Sequence, residues 1–226
     1  MPKIKIDPYL IPLLEAFQQN ANPQKAAEME AYMLHQFPFF GIQAPTRKQI
    51  QKTFFREYSL LRLERLEQIV SNCFEQPQRE FHYFAIELFA THKTLWIKDS
   101  ALFIDYCIQQ KSWWDTVDGM ASDWFKVYFT LFPAQTKPVT ARWNKSKNIW
   151  LQRSSIMFQK AYKQETNTDL LSAYILQHAN STEFFIQKAI GWALREFSKT
   201  NPTWVKQFVA KNKLAPLSKR EALKRL

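Results

Sequence analysis

Apolar residues recur at spacings of three and four along almost the whole chain, the period of a helix that buries one face. The interruptions fall at Asn-Pro, Gly, Pro and Ser/Thr positions of the kind that start or stop helices. This pattern predicts helices over about 7–20, 23–37, 46–57, 61–75, 77–92, 98–110, 114–131, 136–145, 148–164, 168–179, 183–199, 201–212 and 218–226. The short connections predict antiparallel neighbours. No strand-like alternation bounded by hairpin turns is visible, so the predicted fold class is all-α.

In the helix predicted over 183–199, Ile186, Ala189, Ile190, Ala193, Leu194 and Phe197 follow the inward template. The neighbouring stripe is Phe184, Lys188, Trp192 and Arg195, two aromatics among basic residues. WLQRSSIMFQKAY, beginning at Trp150, aligns with FFIQKAIGWALREF, beginning at Phe185, at an offset of 35 residues. The same step carries the stripe back to Ile149, Arg153, Met157 and Lys160, then to Trp114, Asp118, Ser122 and Phe125. A further step reaches Tyr83 in REFHYFAIELFATHK. Helix pairs repeating at this period predict a solenoid with a curved face, and without tetratricopeptide or ankyrin signatures it is HEAT-like. The chain reads as a single α-helical domain over 1–226, with an N-terminal helix in 1–21 and a basic helix in 211–226.

Composition narrows the chemistry. The 226 residues are 46% hydrophobic and 15% aromatic, ample for a core. Only 3 are glycine, Gly41, Gly119 and Gly191, where an average chain would have roughly 16. No GxGxxG, Walker or GxSxG pattern can be written, which excludes dinucleotide folds, P-loops and nucleophile elbows by those routes. Cys73 and Cys107 have no CxxC partner and read as small core residues, and the four histidines show no HExxH. No metal site and no cofactor is therefore expected. Asp7, Pro8 and Pro12 interrupt the apolar start, no cleavage site follows, and no run of about 18 apolar residues exists. A cytoplasmic protein without membrane association is expected.

Thirty-one Lys and Arg against 20 Asp and Glu leave a net charge of +11. Basic groups along one face would neutralise phosphates, making nucleic acid the leading partner class; the alternative is a solvated basic surface. The segment 211–226 adds Lys211, Lys213, Lys219, Arg220, Lys224 and Arg225 against Glu221 alone. Trp114 and Trp192, beside basic groups, could stack on bases or face a cationic ligand. Trp113 and Trp114 would point about 100° apart on a helix, so Trp113 is expected inward and Trp114 lining a cleft. Asp118 lies one turn after Trp114, and the repeat register sets Arg153 beside it. The pair reads either as a salt bridge that fixes packing or as a catalytic carboxylate kept ionised by positive charge. Asp115, at a predicted first turn, would complement the helix dipole.

The blocks FFGIQAPTRKQ from Phe39, KSWWDTVD from Lys111, NIWLQRSSIMFQ from Asn148, EFFIQKAIGWALREFSKTNP from Glu183 and LAPLSKREALK from Leu214 closely resemble the AlkD-like DNA alkylation repair glycosylases. The match runs from about Asn22 to the C-terminus; the first twenty residues match poorly. The resemblance implies a HEAT-like solenoid clasping duplex DNA in a basic concave groove and excising N3- and N7-alkylated purines, without obligatory flipping of the base. It places the catalytic aspartate on Asp118, the lesion-flanking tryptophans on Trp114 and Trp192, and the active-site arginine on Arg153, which would also hold a neighbouring phosphate. DNA-contact positions fall on Tyr32, Gln43, Phe184, Phe185 and Arg195, with Lys188 on the same stripe. The implied products are an abasic site and a free base, from a monomeric protein working on double-stranded DNA. A lysine Schiff-base variant would use Lys111 or Lys188. The alternative readings are a noncatalytic module binding branched or damaged DNA by shape and charge, and a protein-interaction scaffold.

Overall fold

The computed structural model describes residues 5–59 and 62–226. It is all-helical, with no strand among the described residues, and has the character of a helical repeat. The chain divides into two compact units, the first ending at Ile97 and the second beginning at Lys98.

The first unit holds a 3-10 turn at Pro8–Leu10 and helices α1 (Ile11–Gln19), α2 (Pro23–Tyr32), α3 (Ala44–Glu57), α4 (Leu63–Glu75) and α5 (Arg79–Thr91). Asn22 starts α2 by accepting the Lys25 N–H at 3.0 Å, with Pro23 in the first turn where its missing N–H costs nothing. The helix predicted over 23–37 stops at Tyr32, because Leu34 and His35 both take φ of 55°, outside the right-handed helix. The segment that follows is fastened by two carboxylates, half-buried Glu30 and fully buried Glu80. Glu30 accepts from the Phe39 N–H at 3.1 Å, and Glu80 accepts from Phe40, Gly41 and Ile42 at 3.1, 2.9 and 3.1 Å. Desolvation raises the pKa of Glu80, and the amide hydrogen bonds oppose that rise. Gly41 sits at φ 84°, with Asn22 O 2.1 Å from where a Cβ would stand, so only glycine fits. This clamp delivers Gln43 to the start of α3 as its N-cap residue.

The second unit contains α6 (Ser100–Ile108), α7 (Trp114–Met120), α8 (Lys126–Leu131), α9 (Thr136–Lys145), α10 (Ile149–Met157), α11 (Thr168–Gln177), α12 (Phe184–Ser198), α13 (Pro202–Lys211) and α14 (Pro216–Leu223). Helix α10 is central, packing on α7, α9 and α12, while α12 also meets α13 and α14. Asn148, Asn167 and Asn201 cap α10, α11 and α13 through their side-chain oxygens. The predicted inward face of 183–199 is buried at all six positions, and Cys73 and Cys107 are buried as core residues in their respective units. No helix among the described residues is long and apolar enough to cross a membrane.

Two predicted helices differ in form. The span 148–164 is helical only to Met157, after which Gln159 brackets the backbone N–H and C=O of Asn167 at 2.7 and 3.0 Å and turns the chain into α11. The span 114–131 is interrupted by a π-helical turn, Ala121–Phe125. Within it, the Ser122 hydroxyl donates back to the Asp118 carbonyl at 3.0 Å, an alternative partner for the helical ladder. The wider turn shifts the helix phase, and Phe125 is fully buried instead of continuing the stripe from Asp118.

Candidate active site

Asp118 stands in the last turn of α7, ahead of the π-helical turn that re-aims the chain. Arg153, 35 residues later on α10, reaches it with both arms: Nε donates to Oδ1 at 2.8 Å and Nη2 to Oδ2 at 2.7 Å. The remaining arm, Nη1, donates to the Phe185 carbonyl in the first turn of α12 at 2.7 Å. One guanidinium therefore ties together the three helices of the repeat. The register read from sequence is realised as a bidentate pair, the strongest and most directional form of this contact.

The pair is polarised. The Asp118 side chain is 11% exposed, whereas Arg153 is 1% exposed. Both residues are buried, and the small accessible part of the pair lies on the carboxylate. This arrangement revises one sequence expectation: Arg153 is too deeply buried and too fully engaged to hold a phosphate, and its work is to hold Asp118.

Trp192 lies on the same stripe of α12. The Arg153, Lys188 and Arg195 cations stand 5.4, 5.3 and 5.7 Å from its ring centroid, within cation–π range. Its Nε1–H is buried without a hydrogen-bond partner among the described residues. Such an orphan costs about 1–3 kcal/mol in a folded protein, and Trp113 Nε1 shares this state. Trp114 is half-buried as the first residue of α7, one turn before Asp118. Asp115 sits beside it in the first turn, where its charge offsets the helix dipole.

Trp113 is placed differently from the expectation. It is the N-cap residue, with extended backbone (φ −154°, ψ 166°), so helical geometry does not set its angle to Trp114. Half-buried, it packs on Trp150 at 5.8 Å and edge-on to Phe185 at 4.9 Å. Phe184 extends this cluster outward at 5.3 Å from Phe185 and is mostly exposed. The stripe is not uniform, because Met157 belongs wholly to the core. In the first unit, Tyr32 and Gln43 are both exposed, Tyr32 closing α2 and Gln43 opening α3. Among the nominal lysine nucleophiles, Lys188 Nζ donates to Glu221 at 3.0 Å, and Lys111 is exposed in a left-handed backbone conformation at φ 44°.

Sequence reasoning missed Glu221 as a partner. It is buried on α14 and accepts from Lys188 and from Arg195, the latter at 2.8 Å. The hydrogen bond from Lys188 holds its carboxyl below the usual range, helped by the charges of Lys188, Arg195 and Lys224 against a desolvation cost. The available signal was its isolation as the single acid in 211–226. The six cations of that segment are all exposed.

Comparison with known proteins places the chain in a family. The family model described as "DNA alkylation repair enzyme" matches residues 13–226. A solved structure of a predicted DNA alkylation repair enzyme from Enterococcus faecalis superposes with a TM-score of 0.86 at 36% identity, covering 92% of this chain and 97% of that one. The smu.31 protein of Streptococcus mutans UA159 shares the fold, with a TM-score of 0.60 at 16% identity over 93% of this chain and 99% of its own. No curated protein matches the chain significantly. With its helical repeat, its continuous match from residue 13 to the C-terminus and a near neighbour of the same kind, the chain belongs to the DNA alkylation repair enzyme family.

Proposed function

We propose that the protein is a monofunctional DNA glycosylase that releases cationic N3- and N7-alkylated purines from duplex DNA. The observation that carries this reading is the polarised pair, a carboxylate that keeps a small accessible area beside a fully buried guanidinium and neighbours an indole with an orphan N–H. An N-alkylated purine already carries positive charge, so its glycosidic bond has a good leaving group and needs little help from an acid. As that bond breaks, positive charge moves onto the deoxyribose. A fixed carboxylate at Asp118 stabilises it without reorganising. The same oxygens can orient or deprotonate the water that completes hydrolysis, leaving an abasic site and the free base. The indole faces of Trp114 and Trp192 are the surfaces this reading assigns to the cationic nucleobase, and at Trp192 the base shares the ring with the cations of Arg153, Lys188 and Arg195.

Affinity for DNA comes from a separate set of residues. Lys188, Arg195 and the exposed cations of 211–226 supply attraction to phosphates, and exposed Phe184, Tyr32 and Gln43, with half-buried Phe185, are the remaining contact positions. On this reading the protein works as a monomer, without metal or cofactor and without obligatory extrusion of the base. Incubation with methylated duplex DNA, without added metal or nucleotide, is expected to liberate 3-methyladenine and 7-methylguanine, detected chromatographically as free bases with the strand intact. Tight binding to the same duplex with no release would instead favour a noncatalytic binding module.

A further inference from the structure

Three cations surround Trp192, and each is tied to a carboxylate. Arg153 is held by Asp118, as the chemistry proposed above requires. Lys188 and Arg195, four residues before and three after Trp192 on α12, are both held by Glu221, whose two oxygens divide between them at 3.0 and 2.8 Å. Glu221 is itself fixed closely. A Cβ built on Gly191 would lie 2.4 Å from Glu221 Cβ and 3.0 Å from Ser218 O, so α14 rests directly on the glycine adjoining Trp192. The Ser218 hydroxyl donates to the Gln187 carbonyl at 2.9 Å and fixes the same contact one turn away. A carboxylate so buried, with two cations and no other assigned task, calls for an explanation beyond packing.

We infer that Glu221 is a positioning residue: it holds Lys188 and Arg195 in place beside Trp192, within cation–π range of its ring, so that they do not turn to compete for Asp118. This inference rests on the glycosylase reading. A cationic base and a developing sugar cation must occupy the space these residues border. Two unrestrained cations there would repel both, and would also turn toward any phosphate within reach. Glu221 offsets their charge where it opposes the chemistry and leaves them near enough to meet the DNA backbone. The glycine opposite is part of the device, since any side chain at position 191 would push Glu221 away.

The test uses Glu221→Gln, which preserves shape and removes charge, and Glu221→Asp, which preserves charge. Binding to an undamaged duplex is measured across a salt series, and release of 7-methylguanine is measured with protein in excess. Glu221→Gln is expected to bind more tightly, with a plot of log affinity against log salt steeper by about 0.9 for each cation that gains a phosphate. It is expected to release the base more slowly, by roughly tenfold. Glu221→Asp should keep the native salt slope. Native slope and native release in Glu221→Gln would overturn the inference, as would parallel losses of affinity and rate in both variants, the mark of a purely structural contact. Should the native chain release no base, the glycosylase reading falls, while the salt slope still reports whether Glu221 restrains the two cations.

Discussion

Asp118→Asn is expected to slow alkylpurine release by about 10²- to 10³-fold, the scale of losing one preorganised charge at the position where charge develops. Asparagine has nearly the same volume and can still accept a hydrogen bond from Arg153, so α7, the π-helical turn and Trp114 stay where they are. What disappears is the negative charge of the pair, with the buried guanidinium left beside it. Removing a negative charge should leave duplex affinity unchanged or raise it. The informative result is thus a loss of rate at full occupancy, measured with protein in excess over a single-lesion duplex. A native rate in this variant would mean that Asp118 serves only to join α7 to α10.

Arg153→Gln is expected to weaken the fold by about 3–5 kcal/mol, the cost of breaking a buried pair from one side. Asp118 would lose both donors, and the Phe185 carbonyl would lose the third. For a chain of this size the loss corresponds to a melting temperature lower by about 6–20 °C. The double variant Asp118→Asn/Arg153→Gln should recover part of this, because no carboxylate is then stranded. Thermal melts of the two single variants and the double variant give the coupling directly. A melting temperature for Arg153→Gln within a degree of native would contradict the tripartite tie between α7, α10 and α12.

The pairing of Asp118 with Arg153 was legible because both ends lie on regular helices and the repeat supplies the register; one step of 35 residues carries one onto the other. The inward face of α12 was legible for the same reason. Where local backbone departs from the helical period, this kind of reading fails. The π-helical turn at Ala121–Phe125 inserts a phase shift with no apolar signature, so Phe125 enters the core. Leu34 and His35 stop α2 in a conformation that neither residue type favours, a choice imposed by surrounding structure. Trp113 sits just outside its helix, where the 100° step does not apply. Burial of Arg153 and the reach of Glu221 from α14 are tertiary facts, invisible to periodicity. The residue types at the site were therefore readable, while the division of labour among its cations was not.

On the proposed reading, the site recognises and stabilises positive charge during loss of the base. The most direct measurement compares single-turnover release from two otherwise identical duplexes, one carrying 7-methylguanine and the other hypoxanthine, a neutral purine of similar size. The expected result is release of 7-methylguanine and no release of hypoxanthine above the uncatalysed rate, although both duplexes bind with similar affinity. Release of both at comparable rates, or of neither, would contradict it.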